Sequence, residues 1–304
     1  MKAKIINIIY SILIILVTVY MFVFSKNTTN IFIDSFSFII NTIIPSLFPF
    51  MIFISFILNS NAIDYLSILL KPIGKLFNIS GYGSICVIAS ILGGFPYSSI
   101  IVSIFYKEQK IDINEANRLA LTLFFPSLSF LFMGLYPIDN NFIYIIITLY
   151  ISSFIMLFIS KYEYPLINKS NNNIKISNDF IKTYFKVMKS SIESIFSISF
   201  SIIFFRLISS IFKVINLNEL TLFFVSGILE FSYSSINILL LTNKTFLTYL
   251  LLNIIISFSS FSIIFQSYYY LIDIKMKMKK LLIYKLATLI ISTIIFTTIF
   301  LIFK

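Results

Sequence analysis

Runs of about twenty apolar residues follow one another along almost the whole chain, each near the length a helix needs to cross a bilayer. They span 5 to 24, 31 to 58, 81 to 106, 119 to 136 and 141 to 160, then 191 to 214, 219 to 241, 246 to 270 and 281 to 303. A shorter piece lies at 62 to 70. Only 12% of the residues are charged, against about a quarter in soluble domains. The expected fold class is therefore all-α: a polytopic integral membrane protein whose direct partner is the lipid bilayer.

The residue inventory removes much chemistry. With no His and a single cysteine, Cys86, the chain has no His-dependent metal site, Ser-His-Asp triad, CxxC pair or intrachain disulfide, and no metal or cofactor is expected. The net charge of +11 comes from lysines set between apolar segments rather than along one polar face, so nucleic acid is not expected as a partner. Lys2 and Lys4 precede the run from Ile5 to Phe24 as in a signal peptide. That run is too long, however, and ends Ser25-Lys26-Asn27 without a cleavage pattern, so it reads as a retained first span.

Residues 161 to 178, with Lys161, Lys169, Lys175 and Asn171-Asn172-Asn173, form the one convincing linker, and 179 to 190 read as a basic amphipathic helix. The organisation is a membrane half at 1–160, a basic linker at 161–190 and a second membrane half at 191–304. The positive-inside rule puts Lys2, Lys4, the linker and the cluster Lys275, Lys277, Lys279, Lys280 and Lys285 in the cytoplasm, and the loop near Asp139 outside.

Charge parity then constrains two segments. If 31 to 58 ends inside beside Lys71 and Lys75, the segment 81 to 106 must return inside, because Lys107, Lys110 and Arg118 follow it. A re-entrant hairpin turning at Gly93-Gly94-Phe95-Pro96-Tyr97-Ser98-Ser99 does this, and a broken helix at membrane depth is tolerated where it lines protein or a cavity. In the second half, 219 to 241 descends toward Lys244, so 246 to 270 is expected to be the matching hairpin, centred on Ser257 to Ser262 with Gln266 beyond.

The candidate substrate-binding residues are Gly93, Gly94, Pro96, Ser98, Ser99, Ser127, Ser129, Glu230, Ser259, Ser260 and Gln266. The first group either lines a site or only kinks a packed helix. The serines either meet a solute or bond their own i−4 carbonyls. Glu230, inside Ser226-Gly227-Ile228-Leu229-Glu230, is the strongest single candidate because an ionisable residue at depth is expensive. It could equally stand protonated, or pair with Arg206, which could instead meet an anionic solute. Asp112 reads as an N-cap with Glu115 three residues on, and Glu115 and Arg118 are taken as structural. Cys86 is taken as a packing residue.

At these residues the chain resembles a known family. Pro45-Ser46-Leu47-Phe48-Pro49-Phe50, Pro72-Ile73-Gly74-Lys75-Leu76-Phe77, Gly94-Phe95-Pro96, Glu115-Ala116-Asn117-Arg118-Leu119, Gly227-Ile228-Leu229-Glu230 and Ser259-Ser260-Phe261-Ser262 up to Gln266 are similar, in order and spacing, to the sporulation integral membrane protein YlbJ family. That family belongs to the gate-domain, or nucleoside-recognition, membrane proteins. The resemblance implies a transporter of endospore formers that moves dipicolinate across the outer forespore membrane. The chain departs from the family at Ile100, where a Lys is usual, at Leu128-Ser129, where Asn-Pro or Asp-Pro is usual, and at Ser259 and Ser260, where glycines are usual.

The function expected is transport of a small, anionic, dipicolinate-like solute, and a homo-oligomer is compatible with it. Alternatives are a transporter of a nucleoside-like solute and a non-transporting scaffold of a sporulation membrane complex docking through 161 to 190. An intramembrane enzyme is not expected, since neither HExxH nor GxSG occurs and the apolar runs are read as holding no lysine at depth.

Overall fold

The computed structural model describes residues 2–60, 62–166, 180–212, 218–241 and 243–303; Lys169, Lys175 and Asn171 to Asn173 of the expected linker lie outside these. Every regular element among the described residues is helical, and five helices are long and apolar enough to cross a membrane. The protein is a polytopic all-α membrane protein.

The first half opens with α1 (Lys2–Val23), α2 (Ser25–Phe38) and α3 (Ile44–Leu58). Pro45 cannot donate a backbone hydrogen bond, and the π-helical turn at Ile39–Ile43 widens the helix just ahead of it. Ser25–Leu58 therefore runs on as one 34-residue span despite two prolines. The short α4 (Ala62–Leu69) and α5 (Lys71–Phe77) follow. The chain then turns through 88° into α6 (Gly81–Gly93), where Asn78 takes the left-handed conformation and the Ser80 hydroxyl caps the new helix at Gly83 N, 3.0 Å away.

The expected hairpin at 81 to 106 is present. α7 (Tyr97–Lys107) folds back so that the Tyr82 and Phe105 rings meet edge to face at 5.8 Å, with Lys110 5.6 Å over Tyr82. On an uninterrupted helix those two residues would stand about 35 Å apart. α8 (Ile113–Thr122) starts at Asp112, whose carboxylate accepts from Glu115 N at 2.8 Å. The Glu115 side chain does not close a capping box; it accepts from Ser80 N at 2.6 Å instead. After Thr122 the backbone unwinds through Pro126, then re-forms as α9 (Leu128–Phe130) and a π turn at Leu131–Leu135. This crossing is thus broken in its middle. α10 (Ile143–Ile159) crosses back, and buried Arg118 donates to the carbonyls of Asn78 and Leu157 and to the Ser160 hydroxyl, tying α5, α8 and α10 together at one end.

In the second half α11 (Phe180–Ile211) is one 32-residue helix, continuous through the expected junction between amphipathic helix and span. α12 (Glu219–Leu229) and α13 (Phe231–Leu241) meet at Glu230, the single extended residue between them. They form a hairpin: Ser226 and Ser234 hydroxyls lie 3.2 Å apart, whereas eight residues of straight helix span about 12 Å. α14 (Phe246–Phe258) and α15 (Ser260–Leu271) then cross as one broken span, and α16 (Met278–Phe303) crosses back.

The second hairpin is therefore at 219 to 241, not at 246 to 270. The expectation failed because Lys244 does not join the other lysines: its Nζ is 3.5 Å from Asp139, at the opposite end from the Lys107–Asp273 pair at 2.6 Å. With Tyr249 hydrogen-bonded to Asp139 and Asp273 beside Lys107, the segment between them crosses fully. Both halves now share one order of span, hairpin, broken crossing and span. The first hairpin has its base at the lysine-rich end and the second at the Asp139 end.

Candidate functional site

The two hairpin tips and two broken crossings meet in the interior. At the first tip, Gly94 has φ +63°, and a Cβ there would fall 2.3 Å from Ser127 N, so the tip seats directly on the unwound stretch of the first broken crossing. Phe95 N donates to Phe125 O at 3.2 Å, and the Ser129 hydroxyl to Leu92 O at 3.2 Å. The unwound backbone thus recovers partners from the hairpin, as burial in an apolar medium requires. Ser127 accepts from Phe130 N at 3.1 Å and so starts α9.

The second tip arrives from the other end. Phe231 meets Phe95 at 5.4 Å and Phe130 at 5.7 Å, both edge to face, an arrangement that contributes about 1 kcal/mol per pair beyond area burial. Glu230 is 1% exposed; its carboxylate accepts from Ser232 N at 2.9 Å, Tyr233 N at 3.0 Å and the Ser232 hydroxyl, and so caps α13. The ion pair with Arg206 does not form. Arg206 stacks instead on the Tyr233 ring, 3.3 Å from guanidinium carbon to centroid, and its Nη1 has no partner.

Between the tips lies a cavity of about 30 Å³, room for about two waters, lined by Phe95, Pro126, Ser127, Glu230, Phe231 and Ser232 with aliphatic residues of α3, α11 and α15. Of the sequence candidates, Ser127 and Glu230 line it, and Gly94 and Pro96 flank Phe95 in its wall. Gly93 lies behind, under the Tyr97 ring. Ser98, Ser99, Ser260 and Gln266 do not line it; they sit buried on α7 and α15, two helices that run against each other, and the three serine hydroxyls and Gln266 Oε1 have no hydrogen-bond partner. Ser259 and Ser260 both adopt positive φ, 72° and 56°, at the break of the second crossing.

One residue was missed. Lys285 is 1% exposed and donates from Nζ to Phe124 O at 2.7 Å, the same carbonyl that the Ser259 hydroxyl approaches at 3.4 Å. The expectation of no lysine at depth thus fails. Lys285 was grouped with Lys275 to Lys280 by proximity in sequence, but Leu281 to Tyr284 on one side and Leu286 on the other mark it as enclosed, the same signal that singled out Glu230.

Two polar clusters close the ends. At one, Asp139 accepts from Tyr249, Asn141 N at 3.0 Å and Lys244; partial burial pushes its carboxyl up, but these bonds outweigh that and hold it below its ordinary value. At the other, Glu163 pairs with Lys280 and accepts from Tyr284. No protein-family model, curated protein or solved structure matches this chain.

Proposed function

We propose that this chain is a membrane transporter that passes a small organic solute through the cavity between its hairpin tips. One observation carries the proposal: two hairpins from opposite ends and two broken crossings converge on a single cavity that holds a buried carboxylate. Irregular backbone at depth is tolerated in protein or around a cavity, and a buried acid there is a functional feature by default.

The solute class we infer is a small aromatic acid of the dipicolinate kind. Phe95, Phe130 and Phe231 line the cavity, and aromatic walls suit a planar ring. The resemblance to the YlbJ family supports the same class, and with it a role in endospore formation at the outer forespore membrane. Ser259 and Ser260, standing where that family carries glycines, keep the positive φ that glycine adopts most readily. Clustering of Lys107, Lys110 and Lys280 at one end supports a cytoplasmic N-terminus.

At about 30 Å³ the cavity is far below the roughly 300 Å³ at which pockets for drug-sized ligands begin. The arrangement is a closed state, and transport requires a hairpin tip to withdraw. The sequence holds no P-loop, so movement is passive or ion-coupled, with Glu230 as the proton-linked member. The test is uptake of labelled dipicolinate into proteoliposomes. Saturable uptake falling at least tenfold in Glu230→Ala and Pro96→Ala is expected; full activity in both variants removes these residues from the site, and uptake of a nucleoside in place of dipicolinate reassigns the solute.

A further inference from the structure

A second cavity, of about 80 Å³, lies beside the second hairpin, between α11, α12 and α13. Its chemistry differs from that of the central one. Arg206, four serines and Asn237 line it, together with Tyr233, Phe223 and two aliphatic residues, and among the described residues no carboxylate does. Arg206 is 7% exposed, and its Nη1 makes no hydrogen bond.

An unpaired guanidinium edge inside a membrane span is expensive unless something anionic completes it. The two acidic groups whose field reaches Arg206 do not supply that partner: the Glu230 carboxylate is engaged by Ser232 and Tyr233, and Asp34 is exposed and does not line the cavity. The Tyr233 ring covers one face of the guanidinium, and Arg206 lines the cavity. The Asn237 amide adds N–H groups that can donate to a ligand there, whereas the Ser226 and Ser234 hydroxyl protons already go to Phe223 O and Ser226 Oγ. A volume of about 80 Å³ corresponds to about five waters, enough for a carboxylate-sized anion or a halide and too little for a whole aromatic solute.

We propose that this cavity is a binding site for a small monovalent anion, held by the Arg206 guanidinium with the Asn237 amide as a further donor. The site concerns binding alone and does not depend on the transport reading. Because Tyr233 N also donates to Glu230 at 3.0 Å, the anion would sit one residue contact from the hairpin tip.

The test is thermal unfolding of the full chain in nanodiscs, titrated separately with sodium acetate and sodium chloride, with ionic strength held by the sodium salt of HEPES, whose anion is too large for the cavity. A saturable rise in Tm with either salt is expected, acetate alone identifying a carboxylate site and chloride alone a halide site. Arg206→Gln should abolish the rise. Asn237→Leu should weaken the apparent affinity about tenfold. No saturable rise with either anion, an undiminished rise in Arg206→Gln, or unchanged affinity in Asn237→Leu overturns the proposal.

Discussion

Lys285 Nζ donates to the Phe124 carbonyl where the first broken crossing unwinds, and the Ser259 hydroxyl shares its one proton between that carbonyl at 3.4 Å and Ile256 O at 3.3 Å. Each partly covers for the other, so their loss should be coupled. A thermal-unfolding double-mutant cycle with Lys285→Met and Ser259→Ala should give the double variant an extra loss of about 1 kcal/mol beyond the sum of the singles, since only then is a buried carbonyl left bare. Strict additivity would contradict this pairing. Gly94 is constrained twice, by φ +63° and by the Ser127 amide where a Cβ would stand. Gly94→Ala should therefore lower stability by about 1–3 kcal/mol, read as a Tm drop of several degrees.

At the scale of elements, the first hairpin was legible because Gly93, Gly94 and Pro96 interrupt it and because lysines follow on the side from which it came. The second was not. Its turn is a single extended residue, Glu230 at φ −144°, ψ 110°, with no Gly or Pro at the bend, so counting apolar residues gives a plain span of 23. Its partner crossing was misjudged because Lys244 was counted with the other lysines, when Asp139 neutralises it at the far end. The central acid, Glu230, was legible from its isolation in an apolar run, and Lys285 carries the same signal beside a cluster that masked it.

The contact between the 161–166 turn and α16 has its own pH signature. Partial burial raises the Glu163 carboxyl, but hydrogen bonds from Lys280 and Tyr284 outweigh this and hold it below its ordinary value of 4.5. A carboxyl lowered by folding stabilises the fold above its ordinary value and loses that contribution as pH falls toward the folded one. The Tm advantage of the native chain over Glu163→Gln should hold from pH 7 to about 5 and shrink below 4.5. An advantage unchanged at pH 3 would show that the carboxylate is not the source.

For the whole molecule, the central claim is that both halves repeat span, hairpin, broken crossing and span, with the hairpins entering from opposite faces. Buried Phe95, Phe130 and Phe231 at the meeting of the tips make the halves one packing unit rather than two bundles. Face-specific labelling tests this most directly. With Cys86→Ala as background, single cysteines at Lys107, Lys244 and Lys275 are exposed to a membrane-impermeant maleimide in sealed vesicles of each orientation. The predicted result is that the cysteines at 107 and 275 react from one face and that at 244 only from the other; labelling of 244 from the same face as 107 would contradict the account.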